Sequence, residues 1–195
     1  MRTTFIIAGP ALAMALALGG CGKKSDDVTV NNMSIMNGTM GNMGNDSASA
    51  MPMTSPAQTF ANTAAASDMF EVESSKLALS KSSSAPVKKF ADMMVKAHTE
   101  STEKLKAAAN SVTPAIVPNA ALSAEQQATM DKLNSASGSA FDTAYIAAQT
   151  DGHQKTLDTL RAYSASGDVP ALKTLASEMV PTVTAHLNMA KGLKP

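Results

Sequence analysis

The stretch VKKFADMMVKAHTESTEKLKAAANSV, residues 87–112, decides the fold. Its residues Val87, Ala91, Met94, His98, Ser101, Leu105, Ala108 and Val112 follow alternating steps of four and three, which places them along one face of an α-helix. A strand would show alternation with a period of two, and this run has none. Near the end of the chain Leu172, Leu175, Met179, Thr182, His186, Met189 and Leu193 repeat the stripe with one-residue slips.

Punctuation between the stripes sets the helix ends. Ser55-Pro56-Ala57-Gln58 combines an N-cap serine, a proline at the first helical position and a glutamine at the third, which reads as a capping box. Helix one then runs from Pro56 to Lys81, with Phe60, Ala64, Ser67, Glu71, Ser74 and Ala78 inward. Ser82-Ser83-Ser84-Ala85-Pro86 breaks the chain, and helix two continues to Asn110. Pro114 and Pro118 mark a loop, and Ser123-Ala124-Glu125-Gln126 repeats the capping box. Ser137-Gly138-Ser139 divides the third helical region, leaving a main helix from about Ala140 to Ala165 that carries Phe141, Tyr145, Gln149, His153, Leu157 and Leu160. Gly167-Asp168-Val169-Pro170 supplies a stop, an N-cap aspartate and an early proline. The last helix spans Pro170 to Leu193, with Pro181 expected to kink it. Short links between the first and second pair and the third and fourth pair predict an all-α, antiparallel four-helix bundle over residues 55–195.

Composition agrees. Aromatic residues are 4% of the chain and tryptophan is absent, while alanine, serine, threonine and methionine abound, which suits close helix packing better than a β-sandwich. Sixteen lysines and arginines balance sixteen acidic residues without clustering, so no nucleic-acid partner is expected.

The N-terminus carries its own instructions. Arg2, an apolar run from Phe5 to Leu18 too short to span a bilayer, and the small residues Gly19 and Gly20 are the parts of a secretory signal, assigned to residues 1–20. Leu18-Gly19-Gly20-Cys21 resembles a bacterial lipobox, which implies lipid attachment at Cys21 and a membrane partner through that lipid. Cys21 is the sole cysteine. Gly22 stands where an inner-membrane retention aspartate would stand, so the expected place is the outer membrane, facing the periplasm. Residues 21–54 are rich in Asn, Gly, Ser and Met without sustained apolar periodicity, and read as a disordered tether. Met33, Met36, Met40, Met43, Met51 and Met53 lie in it, six of fourteen methionines, and thioethers on a mobile segment suit Cu(I) or Ag(I). Composition drift in a linker is the other reading of this run.

The three histidines, His98, His153 and His186, each fall on the inward stripe of a different helix, and Glu71 holds the comparable place on helix one. Counting back and forward from the turn near Ser84 puts Glu71 and His98 level, about 20 Å along the pair. The same count from Gly167–Asp168 leaves His153 and His186 about one turn out of register. Imidazoles with one carboxylate suit a single Zn, Cu or Fe ion. Asp142 is a reserve acidic ligand or a lysine partner. The competing reading is a plain structural or protein-interaction envelope lipoprotein whose histidines bond to core neighbours, with its protein partner unknown. Di-iron bundles need Glu-x-x-His, and the residues three before the histidines are Val95, Thr150 and Val183. GxSxG, HExxH and glycine-rich phosphate loops are also missing, so a non-enzymatic binding or stress-protective module is expected.

Phe70-Glu71-Val72-Glu73, the run Val87 to His98, Phe141-Asp142-Thr143-Ala144-Tyr145-Ile146 with His153, and His186-Leu187 together resemble the bacterial domain of unknown function 4142. The likeness covers about residues 57–193. It implies exported, often lipid-anchored proteins with a ferritin-like fold and no settled activity. An acidic residue commonly precedes the helix-two histidine in that family, where this chain has Ala97.

Overall fold

A computed structural model describes residues 54–195. The signal segment, Cys21 and all six tether methionines lie outside the described residues. Five helices follow in order: α1 (Pro56–Lys81), α2 (Ala85–Asn110), α3 (Ala124–Ser135), α4 (Gly138–Ser166) and α5 (Pro170–Gly192). The described residues contain no strand. None of the described helices is long and apolar enough to cross a membrane.

The α1–α2 and α4–α5 pairs are joined by three-residue links and pack along their lengths, so each pair is antiparallel; α1 also packs on α4, and α2 on α5. The short α3 lies against α1 and α4. Lys81 fastens its end, donating from Nζ to the carbonyls of Leu133 at 3.1 Å and Asn134 at 2.6 Å.

The helix starts follow their caps, with three differences from expectation. At Ser123 the capping box is complete, the Oγ accepting from Gln126 N at 3.2 Å and the Gln126 side chain from Ser123 N at 2.9 Å. At Ser55 only the serine half forms. Gln58 Nε2 instead reaches Asn62 Oδ1 and the Val117 carbonyl, both at 2.8 Å, and so ties α1 to the α2–α3 connection. Val169, not Asp168, is the N-cap of α5. Asp168 is taken by Tyr163, whose hydroxyl donates to its Oδ1 at 2.8 Å. Helix α4 begins at Gly138, two residues earlier than expected, because its φ of +57° lets the chain turn directly out of α3.

Pro181 lies inside an uninterrupted α5. Pro181 and Ser177, whose carbonyl lacks its usual donor, are both exposed, so water can satisfy the freed acceptor. The inward stripe of α5 shifts by one residue past this point. Val183, His186, Leu187 and Ala190 are buried, whereas Thr182 and Met189 face outward.

Two apolar clusters form the core. One holds Phe60, Leu105, Leu157, Leu160, Leu172 and Val183 with their neighbours; the other holds Phe70, Val87, Met94, Leu133, Phe141 and Tyr145. Most buried polar residues of the long helices fall between or beside these clusters: Asp68, Glu71, Ser74 and Ser75 on α1, His98 on α2, Gln149 and His153 on α4, and His186 on α5; Asp142 on α4 instead adjoins Phe141 of the second cluster. The interior is therefore a polar layer set between two apolar ones.

Candidate metal centre

The polar layer is built from one strict stripe on α1. Ala57, Ala61, Ala64, Asp68, Glu71, Ser75 and Ala78 follow steps of four and three, and all are buried. Alanines on either side bring the neighbouring backbones close, and the longer side chains in the middle reach across. Serines complete the layer: Ser75 and Tyr145 share a hydroxyl hydrogen bond at 2.8 Å, and Gln149 Nε2 donates to Ser74 Oγ at 3.1 Å.

His98, His153 and His186 converge. Their ring centroids are 5.4 to 5.7 Å apart pairwise, and one ligand nitrogen from each lies within 4.8 Å of the others. His153 and His186 stand nearly one turn out of register along their helices, and their side chains make up the difference. Gly167–Val169 is not helical and adds no axial rise, so His153 stands thirteen residues before the end of α4 and His186 sixteen after the start of α5. That leaves about 4.5 Å at 1.5 Å per residue, a gap two imidazole side chains span.

Hydrogen bonds set which nitrogens face the centre. His153 Nδ1 lies 2.8 Å from the Gln149 carbonyl, which can only accept, so Nδ1 carries the hydrogen and Nε2 is left with its lone pair. His98 Nδ1 lies 2.8 Å from Asp68 Oδ1, and a carboxylate imposes the same tautomer. His98 Nε2, His153 Nε2 and His186 Nδ1 are buried without a protein partner. Imidazoles that ligate metals usually donate their other nitrogen to a carboxylate or carbonyl, and two of these three do so.

Glu71 is buried, and both of its oxygens lack hydrogen-bond partners. Its Oε1 stands 3.5 Å from His153 Nδ1, the nitrogen turned away from the other rings, so Glu71 borders the histidine group rather than joining it. The expected level pairing of Glu71 with His98 is taken instead by Asp68, one turn earlier. Asp142 is buried with Oδ1 unpartnered, but it precedes His153 by three turns, about 16 Å along α4, and no lysine pairs with it among the described residues.

Burial dominates the acid–base behaviour of the layer. It pushes the Glu71 carboxyl up to about 7, against the opposing pull of the His98 charge. Burial, with the charge of His98, holds His153 down to about 3 and His186 to about 4. For His98 burial also pulls downward, but the hydrogen bond to Asp68 and the charges of Glu71 and Asp68 outweigh it and raise the ring above its ordinary value. Among the described residues no lysine or arginine pairs with Asp68 or Glu71, whose only ion-pair neighbours are histidines. Two carboxyl groups and three imidazoles are thus removed from water with no lysine or arginine paired to them among the described residues, and the three imidazoles lie close enough together to hold one metal ion.

A separate cavity of about 400 Å³ opens between α1, α4 and the start of α3, lined in part by Phe60, Ser67, Phe70, Gln126, Gly152 and Lys155. The histidines do not line it.

The described residues thus form an all-helical domain in which three histidines meet in a buried polar layer. The chain belongs to the family described as domain of unknown function DUF4142, whose model matches residues 42–193. Solved structures with a similar fold include CopM in its Cu(I)-bound form, at 18% identity and a TM-score of 0.58, and in its Cu(II)-bound form, at 16% identity and 0.59. A third is CopM in an Ag-bound form, at 18% identity and 0.57. Each comparison covers 70% of this chain and 93% of the CopM chain. No curated protein matches the chain.

Proposed function

We propose that this chain holds a transition-metal ion at His98, His153 and His186, with Glu71 alongside, and serves as a metal-binding or stress-protective module of the bacterial envelope. The observation that carries the reading is the meeting of three imidazole nitrogens, from three different helices, within 4.8 Å. Imidazole suits Zn, Cu and Fe, and the Cu-bound and Ag-bound CopM structures of similar fold put copper first among these. The four long helices are read as a ferritin-like four-helix bundle with α3 laid on its side. Lipid on Cys21 anchors the protein to the outer membrane, facing the periplasm, and residues 21–54 link lipid to bundle.

A metal that binds only the folded state stabilises it by about 2.7 kcal/mol at a hundredfold excess over Kd. Added Cu(II) or Zn(II) at near-neutral pH should therefore raise the melting temperature, and His98→Ala or His153→Ala should remove that rise. A melting temperature indifferent to every ion tried would return the histidines to an ordinary packed core.

A further inference from the structure

Asp68 was not among the expected ligands, yet it is the residue most firmly joined to the centre. Its Oδ1 is 2.8 Å from His98 Nδ1, with both side chains almost fully buried. The Thr102 hydroxyl, which has a single hydrogen, lies 2.9 Å from the His98 carbonyl and 3.4 Å from Asp68 Oδ2, so the ring is the carboxylate's principal partner. Held this way, His98 keeps its hydrogen on Nδ1 and turns Nε2, which has no protein partner, to the other rings.

We propose that Asp68 is a positioning and selectivity residue of the centre: it fixes the tautomer and aim of His98, and its buried charge favours divalent over monovalent cations. The selectivity half rests on the metal-binding reading above; the positioning half does not. A fixed negative charge attracts an ion in proportion to the ion's own charge. Removing it therefore costs a divalent ion twice as much, on a logarithmic scale, as a monovalent one. Loss of an outer carboxylate partner typically weakens metal affinity ten- to a hundredfold.

The test uses the full chain labelled with ¹⁵N-histidine at a slightly alkaline pH, with Zn(II) and Ag(I) as redox-inert probes and the free ion set by a competing chelator. Reading the ring nitrogens by NMR separates the centre from the tether methionines. In the metal-free wild type, His98 should show one tautomer, with hydrogen on Nδ1. Asp68→Ala should release it to a mixture or to the other tautomer, while Asp68→Asn, whose amide oxygen still accepts, should keep it. Asp68→Asn should weaken Zn(II) about ten- to a hundredfold and Ag(I) about threefold to tenfold.

An unchanged His98 tautomer in folded Asp68→Ala would overturn the positioning role. Equal losses for the two ions, or none, in Asp68→Asn would overturn the selectivity role. If neither ion moves any wild-type ring resonance, the metal-binding reading falls and selectivity with it, whereas the tautomer result still decides positioning. Should Asp68→Ala fail to fold, Asp68→Leu, which also lacks an acceptor but fills the space, takes its place in the tautomer measurement.

Discussion

A β-carbon at Gly152 would lie 2.9 Å from Glu71 Oε1, closer than such atoms approach one another. Gly152 precedes His153 on α4, so the missing side chain is what allows a glutamate of α1 to lie beside that histidine. Alanine is favoured over glycine within a helix by about 1 kcal/mol. Gly152→Ala should gain less than this in the wild-type background, because the buried carboxylate at the end of the Glu71 side chain must shift to make room. Combined with Glu71→Ala the same substitution should deliver the full gain. A double-mutant cycle by urea unfolding measures the difference, and equal effects in the two backgrounds would show that the carboxylate does not resist the added methyl.

The pH dependence of the metal-free domain follows from buried groups of opposed sign, Glu71 and His98 raised and His153 and His186 lowered. Glu71, raised to about 7 from an ordinary 4.5, favours folding fully below pH 4.5, and that contribution is lost as pH rises to 7. His153, lowered to about 3 from 6.5, favours folding above pH 6.5, and its contribution is lost as pH falls toward 3. Between pH 4.5 and 6.5 the two slopes oppose each other. Glu71→Gln removes one of them, so this variant should lose stability on acidification through that window more steeply than wild type, by up to about 1.4 kcal/mol per pH unit. Parallel stability profiles would mean that Glu71 is already ionised in the folded state.

The two serines that cap with their side chains, Ser55 and Ser123, differ from the two N-cap serines that do not, Ser84 and Ser137. Ser123→Ala should cost about 1 kcal/mol and Ser55→Ala a comparable amount. Ser84, the N-cap of α2, makes no side-chain capping bond, and Ser84→Ala should change stability by less than about 0.5 kcal/mol. Thermal unfolding of the three variants orders them.

For the tether, a peptide of residues 30–54 should bind Cu(I) or Ag(I) in preference to Zn(II), since thioethers favour soft ions. Replacing all six methionines with leucine should abolish this, and binding that survives would remove the thioether reading.

Anchoring is tested at one atom. Cys21→Ala should prevent lipid incorporation and release the protein from the membrane fraction or leave it as uncleaved precursor. A wild-type protein that incorporates no lipid would overturn the lipobox reading.

The long helices and their ends were legible because serine, proline and glycine punctuate the chain where stripes of apolar side chains stop. The convergence of the histidines was legible for the same reason: each sits on a stripe. Asp68 was missed because α1 is rich in alanine, and small residues on several faces let more than one stripe be drawn. The stripe through Ser67 and Ser74 competes with the one through Asp68 and Ser75, which are buried with Ala57, Ala61 and Ala64. Only packing against α2 and α4 decides between them. The role of Gln149 was hidden differently, since its contribution to His153 is a backbone carbonyl, which residue identity does not reveal.

The polar layer also chooses how the helices align. Alanine-lined surfaces can slide past one another by a turn, about 5.4 Å, with little change in apolar contact. Such a slip would part Asp68 from His98, Ser75 from Tyr145 and Ser74 from Gln149 together, leaving several buried polar groups unmatched at about 1–3 kcal/mol each. A featureless apolar interior would hold this chain in a family of near-equivalent alignments; the pairings in its middle single out one.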